Sequence, residues 1–184
     1  MSNLVERSVG GVSLECVVGD IAAQDDVDAV VNAANAELRS GGGVAGAIHR
    51  AAGPGLAREA EPMAPIRPGE AVVTSGHDLP NEWVIHCLGP VYGRDEPSEE
   101  LLRSCYRRAL DLAEEEGIRS IAFPALSTGA FGYPIDAAAE VAMETMVHRA
   151  PGFSSVQRIR FVLYDDDALE AHVRALDEVL EASS

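Results

Sequence analysis

The chain contains no lysine: its 14 basic residues are all arginine, set against 30 acids for a formal net charge of −16. That absence closes two classes of function. A P-loop needs a glycine-rich turn ending in Lys to reach nucleotide phosphates, and none can be written here. Nucleic acids are held through Lys and Arg on the phosphates, so a strongly acidic chain argues against DNA or RNA as a partner. Cysteine is also scarce. Cys16, Cys87 and Cys105 form an odd set without metal-like spacing, and they read as buried free thiols in a reducing, cytoplasmic setting. No clustered ligands mark a metal site, and neither a metal nor a cofactor is expected. Every apolar run falls short of the ~20 residues that a membrane helix needs, so no membrane partner is expected. The opening segment, MSNLVERSVGG, has no basic stretch followed by an apolar one and does not read as a secretory signal.

What is present reads as one domain over residues 1–184, with a monomer as the expectation. With 47% apolar and 24% charged residues it is an ordinary globular composition. A chain of this length buries roughly 70% of its unfolded surface. Strands are expected at Val12–Val18, Val27–Val31, Glu70–Thr74, Trp83–Leu88, Ile121–Phe123 and Ile159–Tyr164. Helices are expected at Val44–Ala52, Leu56–Glu61, Glu99–Glu116, Ile135–His148 and Ala168–Leu180. The third of these has an apolar side of Leu101, Leu102, Cys105, Leu110 and Leu112, with Gly117 placed to end it. Strands that alternate with helices imply an α/β sandwich with a largely parallel sheet. Ligands of such sheets bind beyond the carboxyl ends of the strands.

Two glycine-rich segments follow strands. Gly41-Gly42-Gly43-Val44-Ala45-Gly46 formally satisfies the dinucleotide spacing G-x-G-x-x-G. Its context fails, because NAANAELRS separates it from the strand and AREAEPMAPIRP stands where the second strand's acid belongs. The physical content survives: a loop without side chains, entering a helix N-terminus, offers N–H donors to a phosphate. Pro124-Ala-Leu-Ser-Thr-Gly-Ala-Phe-Gly-Tyr133 repeats the design before a second helix. Two such loops suit a diphosphate. Phe131 and Tyr133 either close over a ligand or pack in the core. Asp20 can accept from an exocyclic amine or simply cap a turn; Asn35 has the donors and acceptors that suit ribose hydroxyls; Tyr164 can stack on a purine. His49 and His86 read as core residues and His77 as a solvated turn residue. A Ser127–His–Asp triad has no G-x-S-x-G elbow to support it.

Taken in order, Gly19-Asp20-Ile21, VDAVVNAAN, GGGVAGAIHRAAGP, GEAVVTSGHDLPNEWVIHCLGP and FPALSTGAFGYP resemble the successive signatures of the macrodomain family, from about Val12 to Leu180. The resemblance implies a three-layer α/β/α sandwich with a mixed, largely parallel sheet. It implies ADP-ribose, or an ADP-ribosylated substrate, as the partner. Asp20 would meet the adenine amine, beside Ile21, and Tyr164 would stack on the ring. Asn35 would bind the distal ribose and serve as the catalytic residue. Gly42, Gly43 and Val44 would line that ribose and the diphosphate, which Ser127, Thr128, Gly129, Ala130 and Phe131 would cradle. Many members hydrolyse ADP-ribosyl esters; in the branch this chain resembles, an Asp usually stands where Ala45 stands here. The expectation is an ADP-ribosyl ester hydrolase weakened by that departure, with a non-catalytic ADP-ribose reader as the alternative.

Overall fold

The computed structural model describes residues 4–184; the first three residues of the opening MSNLVERSVGG segment lie outside that range. Seven strands form one sheet in the order β1-β2-β7-β6-β3-β5-β4. They are β1 (Val5–Val9), β2 (Val12–Val18), β3 (Ala29–Ala33), β4 (Ala71–Ser75), β5 (Trp83–Cys87), β6 (Ser120–Phe123) and β7 (Arg158–Leu163). The five inner strands are mutually parallel, while β1 and β4 pair antiparallel at the two edges. The helices are α1 (Gly43–Ala52), α2 (Gly55–Ala60), α3 (Ser98–Glu115), α4 (Ile135–Arg149) and α5 (Asp166–Ser183). The expected strands and helices are all present, with bounds shifted by at most three residues.

Strand parity divides the core into two. Val30, Val84, Ala122 and Val162 point to one face, where they pack with Ile48 and Ala52 of α1 and Leu56 of α2. Ala29, Val31, Ile85, Ile121, Phe123 and Phe161 point to the other, against α3, α4 and α5. Successive side chains of a strand alternate faces, so apolar runs such as AVV in β3 supply both layers at once. The result is a three-layer sandwich with α1 and α2 on one side and three helices on the other. Burying a residue such as Ile48, which has no exposed surface, stabilises the fold by about 1.5–3 kcal/mol.

Strand β1 is the element absent from the sequence reading. It is an edge strand with alternating burial, and its charged Glu6 and Arg7 break the apolar run that marks the inner strands. A legible signal did exist. Gly10-Gly11 joins β1 to β2, and both glycines have positive φ (55° and 83°), the requirement of a two-residue hairpin turn.

One buried charge cluster ties the middle of β2 and β7 to the connection that follows β2. Arg160 of β7, nearly inaccessible, donates to Glu15 of β2 (2.8 Å), to Gln24 (2.9 Å) and to both carboxylate oxygens of Asp26 (2.7 and 2.8 Å). The bonded guanidinium holds the Asp26 carboxyl down at about 2. Gln24 in turn donates to the Asp20 carbonyl at 2.8 Å. A buried arginine thereby ties down the loop that carries Asp20 and Ile21.

Candidate functional site

The connections that leave β2, β6 and β7 at their carboxyl ends meet the first turns of α1, α4 and α5 and enclose a cleft of about 760 Å³. Its walls include Gly19, Asp20 and Ile21 from the first connection, and Gly43, Val44 and Ala47 from α1. Pro124, Ala125, Thr128 and Gly129 come from the second glycine-rich loop, and Val162 through Asp165 from the end of β7. No Arg or His contributes to this wall among the described residues. A groove of about 850 Å³ lies elsewhere, between Gly10, α3, α4 and the end of α5. Its Arg103, Arg107 and Arg149 are already paired with Glu144, Glu100 and Asp111, so it offers an anion no free cation among these three.

The helix α1 begins without help. Gly42 stands at its N-cap with no side-chain hydrogen bond, and no acid occupies the first turn. The first N–H groups of a helix have no partner within it, and the dipole leaves that end positive. In this chain Gly43 and Val44 of that first turn line the cleft. Gly43 has φ +56°, a left-handed conformation that disfavours any β-carbon, and no protein atom lies within 4 Å of where one would stand. Glycine here serves conformation and approach together.

Of the predicted residues, Asp20, Ile21, Gly43, Val44, Thr128, Gly129 and Tyr164 come together on the cleft wall. Asn35, Gly42, Ser127, Ala130 and Phe131 do not line it. Each has a visible reason or place. Asn35 donates from Nδ2 to the Arg39 carbonyl (2.8 Å) and accepts the Arg39 N–H on Oδ1 (2.9 Å), while its Nδ2 sits 3.5 Å from where a Gly41 β-carbon would be. One amide hydrogen and one lone pair remain free. Gly42 is the residue before the helix. Ser127 is buried, Ala130 is exposed, and Phe131 packs partly against the small cluster around Leu38 and Ile66. Asp20 does act as a cap, accepting from Ala22 N–H at 2.9 Å; its second oxygen is left over. Tyr164 is 93% exposed, an unusual position for an aromatic ring in a chain with few of them.

Sequence reading missed the acids beside Tyr164. It began the last helix at Ala168, whereas Asp165 caps it by accepting from Ala168 N–H (2.9 Å) and Asp166 and Asp167 fill its first turn. Asp165 and Asp167 both reach the cleft wall. The readable signal was an Asp three residues ahead of a helical Ala. Tyr133 settles as a core residue, its ring 4.7 Å from that of Tyr92. His77, in its exposed turn, is bonded to Glu59 at 2.8 Å.

Behind α1 lies a buried polar row. Asn32 Nδ2 is 3.1 Å from His86 Nδ1, and the other ring nitrogen of His86 is 2.9 Å from Thr74 Oγ1. Burial pushes the His86 imidazole down to about 3, with His49 nearby adding a smaller push; burial also lowers His49. Both are neutral supports of the layer beneath the glycine loop at physiological pH. Neither ring is a cation there.

The Macro domain family model matches residues 31–142. A Klebsiella pneumoniae (strain 342) protein named O-acetyl-ADP-ribose deacetylase is 42% identical over 170 residues, covering 90% of this chain and 97% of its own. The Oceanobacillus iheyensis macrodomain with ADP superposes with a TM-score of 0.94 at 36% identity, covering 99% of each chain. The Trypanosoma brucei macrodomain in complex with ADP-ribose follows with a TM-score of 0.83 at 35% identity, over 89% of this chain and 68% of that one. By its sheet order, its paired glycine-rich loops and these likenesses, the chain belongs to the macro domain family.

Proposed function

We propose that the cleft binds ADP-ribose. The diphosphate lies against the first turn of α1 and the Ser127–Phe131 loop, and the adenine sits among Asp20, Ile21 and Tyr164. The observation that carries this reading is the uncapped, acid-free N-terminus of α1 opening into a cleft without basic side chains. In such a site main-chain N–H groups must supply the attraction for an anion. The relatives solved with ADP and ADP-ribose support the same ligand class. Titration calorimetry with ADP-ribose, ADP and AMP tests it. Affinity should fall in that order, and AMP binding as well as ADP-ribose would remove the diphosphate and distal ribose from recognition.

Turnover of ADP-ribosyl esters belongs to the same proposal, on mono-ADP-ribosylated acidic side chains or O-acetyl-ADP-ribose. The deacetylase relative supports it. Ala45, buried in α1, has no proton to give or take. The water must therefore be activated by the substrate: a diphosphate oxygen accepts its proton as the water oxygen adds to the ester carbonyl. The bond between the acyl carbon and the ribose oxygen then breaks, the departing ribose oxygen takes up that proton as a hydroxyl, and the acyl group leaves as a carboxylic acid. Asn35, with its free amide hydrogen and lone pair, orients the distal ribose. General-base catalysis is worth about 10²–10⁴-fold, so an enzyme without it is slow rather than inert. The alternative, a reader without turnover, is favoured by Ala45 alone. Incubation with auto-ADP-ribosylated protein at stoichiometric concentration separates the two, since a reader releases nothing. Ala45→Asp should raise the rate if the missing carboxylate limits it.

A further inference from the structure

Gly89 follows β5 in the segment Leu88-Gly89-Pro90 and is buried. Its φ lies outside the left-handed region, so its backbone would accept an L-residue; what excludes one is space. A β-carbon there would stand 2.2 Å from Ser127 Oγ, an overlap, but 3.4 Å from Ser127 Cβ, an ordinary contact. Ser127 is itself an anomaly. It has φ +66° although it carries a side chain, and its Oγ is buried with no hydrogen-bond partner. A non-glycine residue in that region costs about 1–2 kcal/mol. A buried hydroxyl without a partner adds about 1–3 kcal/mol. Both costs fall on one residue of the loop that borders the cleft, and such strain persists where the surroundings over-determine it.

The surroundings do so from several sides. The Ser127 carbonyl accepts the Tyr133 N–H at 2.9 Å, and Leu126 N–H donates to the buried Tyr106 hydroxyl at 3.3 Å. Thr128 Oγ1 donates back to the Ala125 carbonyl at 2.9 Å. Gly89 meets the remaining side. Because Oγ is inaccessible, it cannot touch a ligand; its neighbours Thr128 and Gly129 are the residues on the cleft wall.

We propose that Gly89 is a positioning residue for the nucleotide site. Its missing side chain leaves the space into which Ser127 turns, and that turn sets Thr128 and Gly129 against the ligand. Gly89 acts through Ser127 and touches no ligand itself. This inference rests on the ADP-ribose reading of the cleft.

Calorimetry with ADP-ribose on the wild type, Gly89→Ala, Ser127→Ala and the double variant tests it. Gly89→Ala should weaken binding about tenfold or more, the affinity equivalent of modest overpacking strain. In the Ser127→Ala background the same substitution should cost less than about twofold, because the overlapping atom is gone. Loss of fold stability alone would not make the affinity effect depend on one oxygen atom. If Gly89→Ala fails to fold, a folded, binding double variant carries the same result. Equal weakening in both backgrounds, wild-type affinity in Gly89→Ala, or a double variant that also fails to fold overturns the inference. A wild-type protein that does not bind ADP-ribose overturns the reading of the cleft and this inference with it.

Discussion

Helices α1 and α5 both bring their first turns to the cleft, and their termini are built in opposite ways. The α1 terminus is capped by no side chain and carries no acid, with Gly42 and Gly43 at its entrance. The α5 terminus is capped by Asp165 and followed by Asp166 and Asp167. The dipole of α1 is left uncompensated and attracts an anion, whereas three carboxylates neutralise and overturn that of α5. The contrast gives the cleft a direction. On the proposed reading, a ligand with phosphate at one end and a polar, uncharged base at the other fits one way round, with phosphate at α1 and base beside Asp20, Tyr164 and Asp165. Stability and function are also separated: a cap strengthens α5, while α1 forgoes one so that its donors remain free.

The sharpest way to break the contrast is Gly43→Glu, which brings a carboxylate to the phosphate end. An added β-carbon meets no neighbour within 4 Å, so the fold should lose only about 1–2 kcal/mol to left-handed strain. ADP-ribose affinity should fall by about 100-fold or more through bulk and like-charge repulsion. Retained affinity in calorimetry would mean that the loop is misplaced.

At the other end, Tyr164→Ala removes a ring that packs against nothing in the protein's core. Stacking on a base is worth about 1–3 kcal/mol, so affinity should fall about tenfold while the thermal midpoint stays within about 1 °C. A shift in the midpoint without loss of affinity would reverse its role.

The contrast is sharpened by giving α1 the cap that α5 possesses. Gly42 has φ −88° and ψ −179°, the extended conformation of an N-cap, with open space around it. Gly42→Asp should add a few tenths of a kcal/mol to stability by capping the helix. Its carboxylate should at the same time compete with the phosphates and weaken ADP-ribose about fivefold. A melt and a titration on the same sample decide it; a gain in both would show that these donors are not the anion site.

The smallest effect concerns salt. Sites built on lysine and arginine lose affinity as salt rises. Here the wall carries no cation among the described residues and the chain is strongly acidic. Between 0.05 and 0.5 M salt, ADP affinity should change less than about threefold and should not fall, since screening relieves net repulsion. A steep decline would point to arginines in the contact.

Much of the fold was legible because its signals are local. The parallel strands are short apolar runs ended by turn residues, and α3 shows its amphipathic face and terminal Gly117 in the sequence itself. Strand β1 was not, since an edge strand needs no apolar run and its identity rests on pairing with β2. The two glycine loops were visible as loops, and Asp20 and Tyr164 as strand-end residues. Which side chains reach the cleft was not visible. Asn35 ends the motif just before the first glycine loop and Ser127 shares a motif with Gly129, yet one amide is engaged with Arg39 and one hydroxyl is covered beside Gly89.

The sequence by itself determined the alternation of strands and helices, the lack of lysine, and the two glycine-rich loops on which the proposed anion site rests. These follow from residue type and spacing along one stretch of chain. The tertiary structure alone decided that the bare end of α1 and the acidic end of α5 share one cleft, and that Ser127 turns into the space beside Gly89. Those facts depend on strand order, which joins segments far apart along the chain and leaves no local trace.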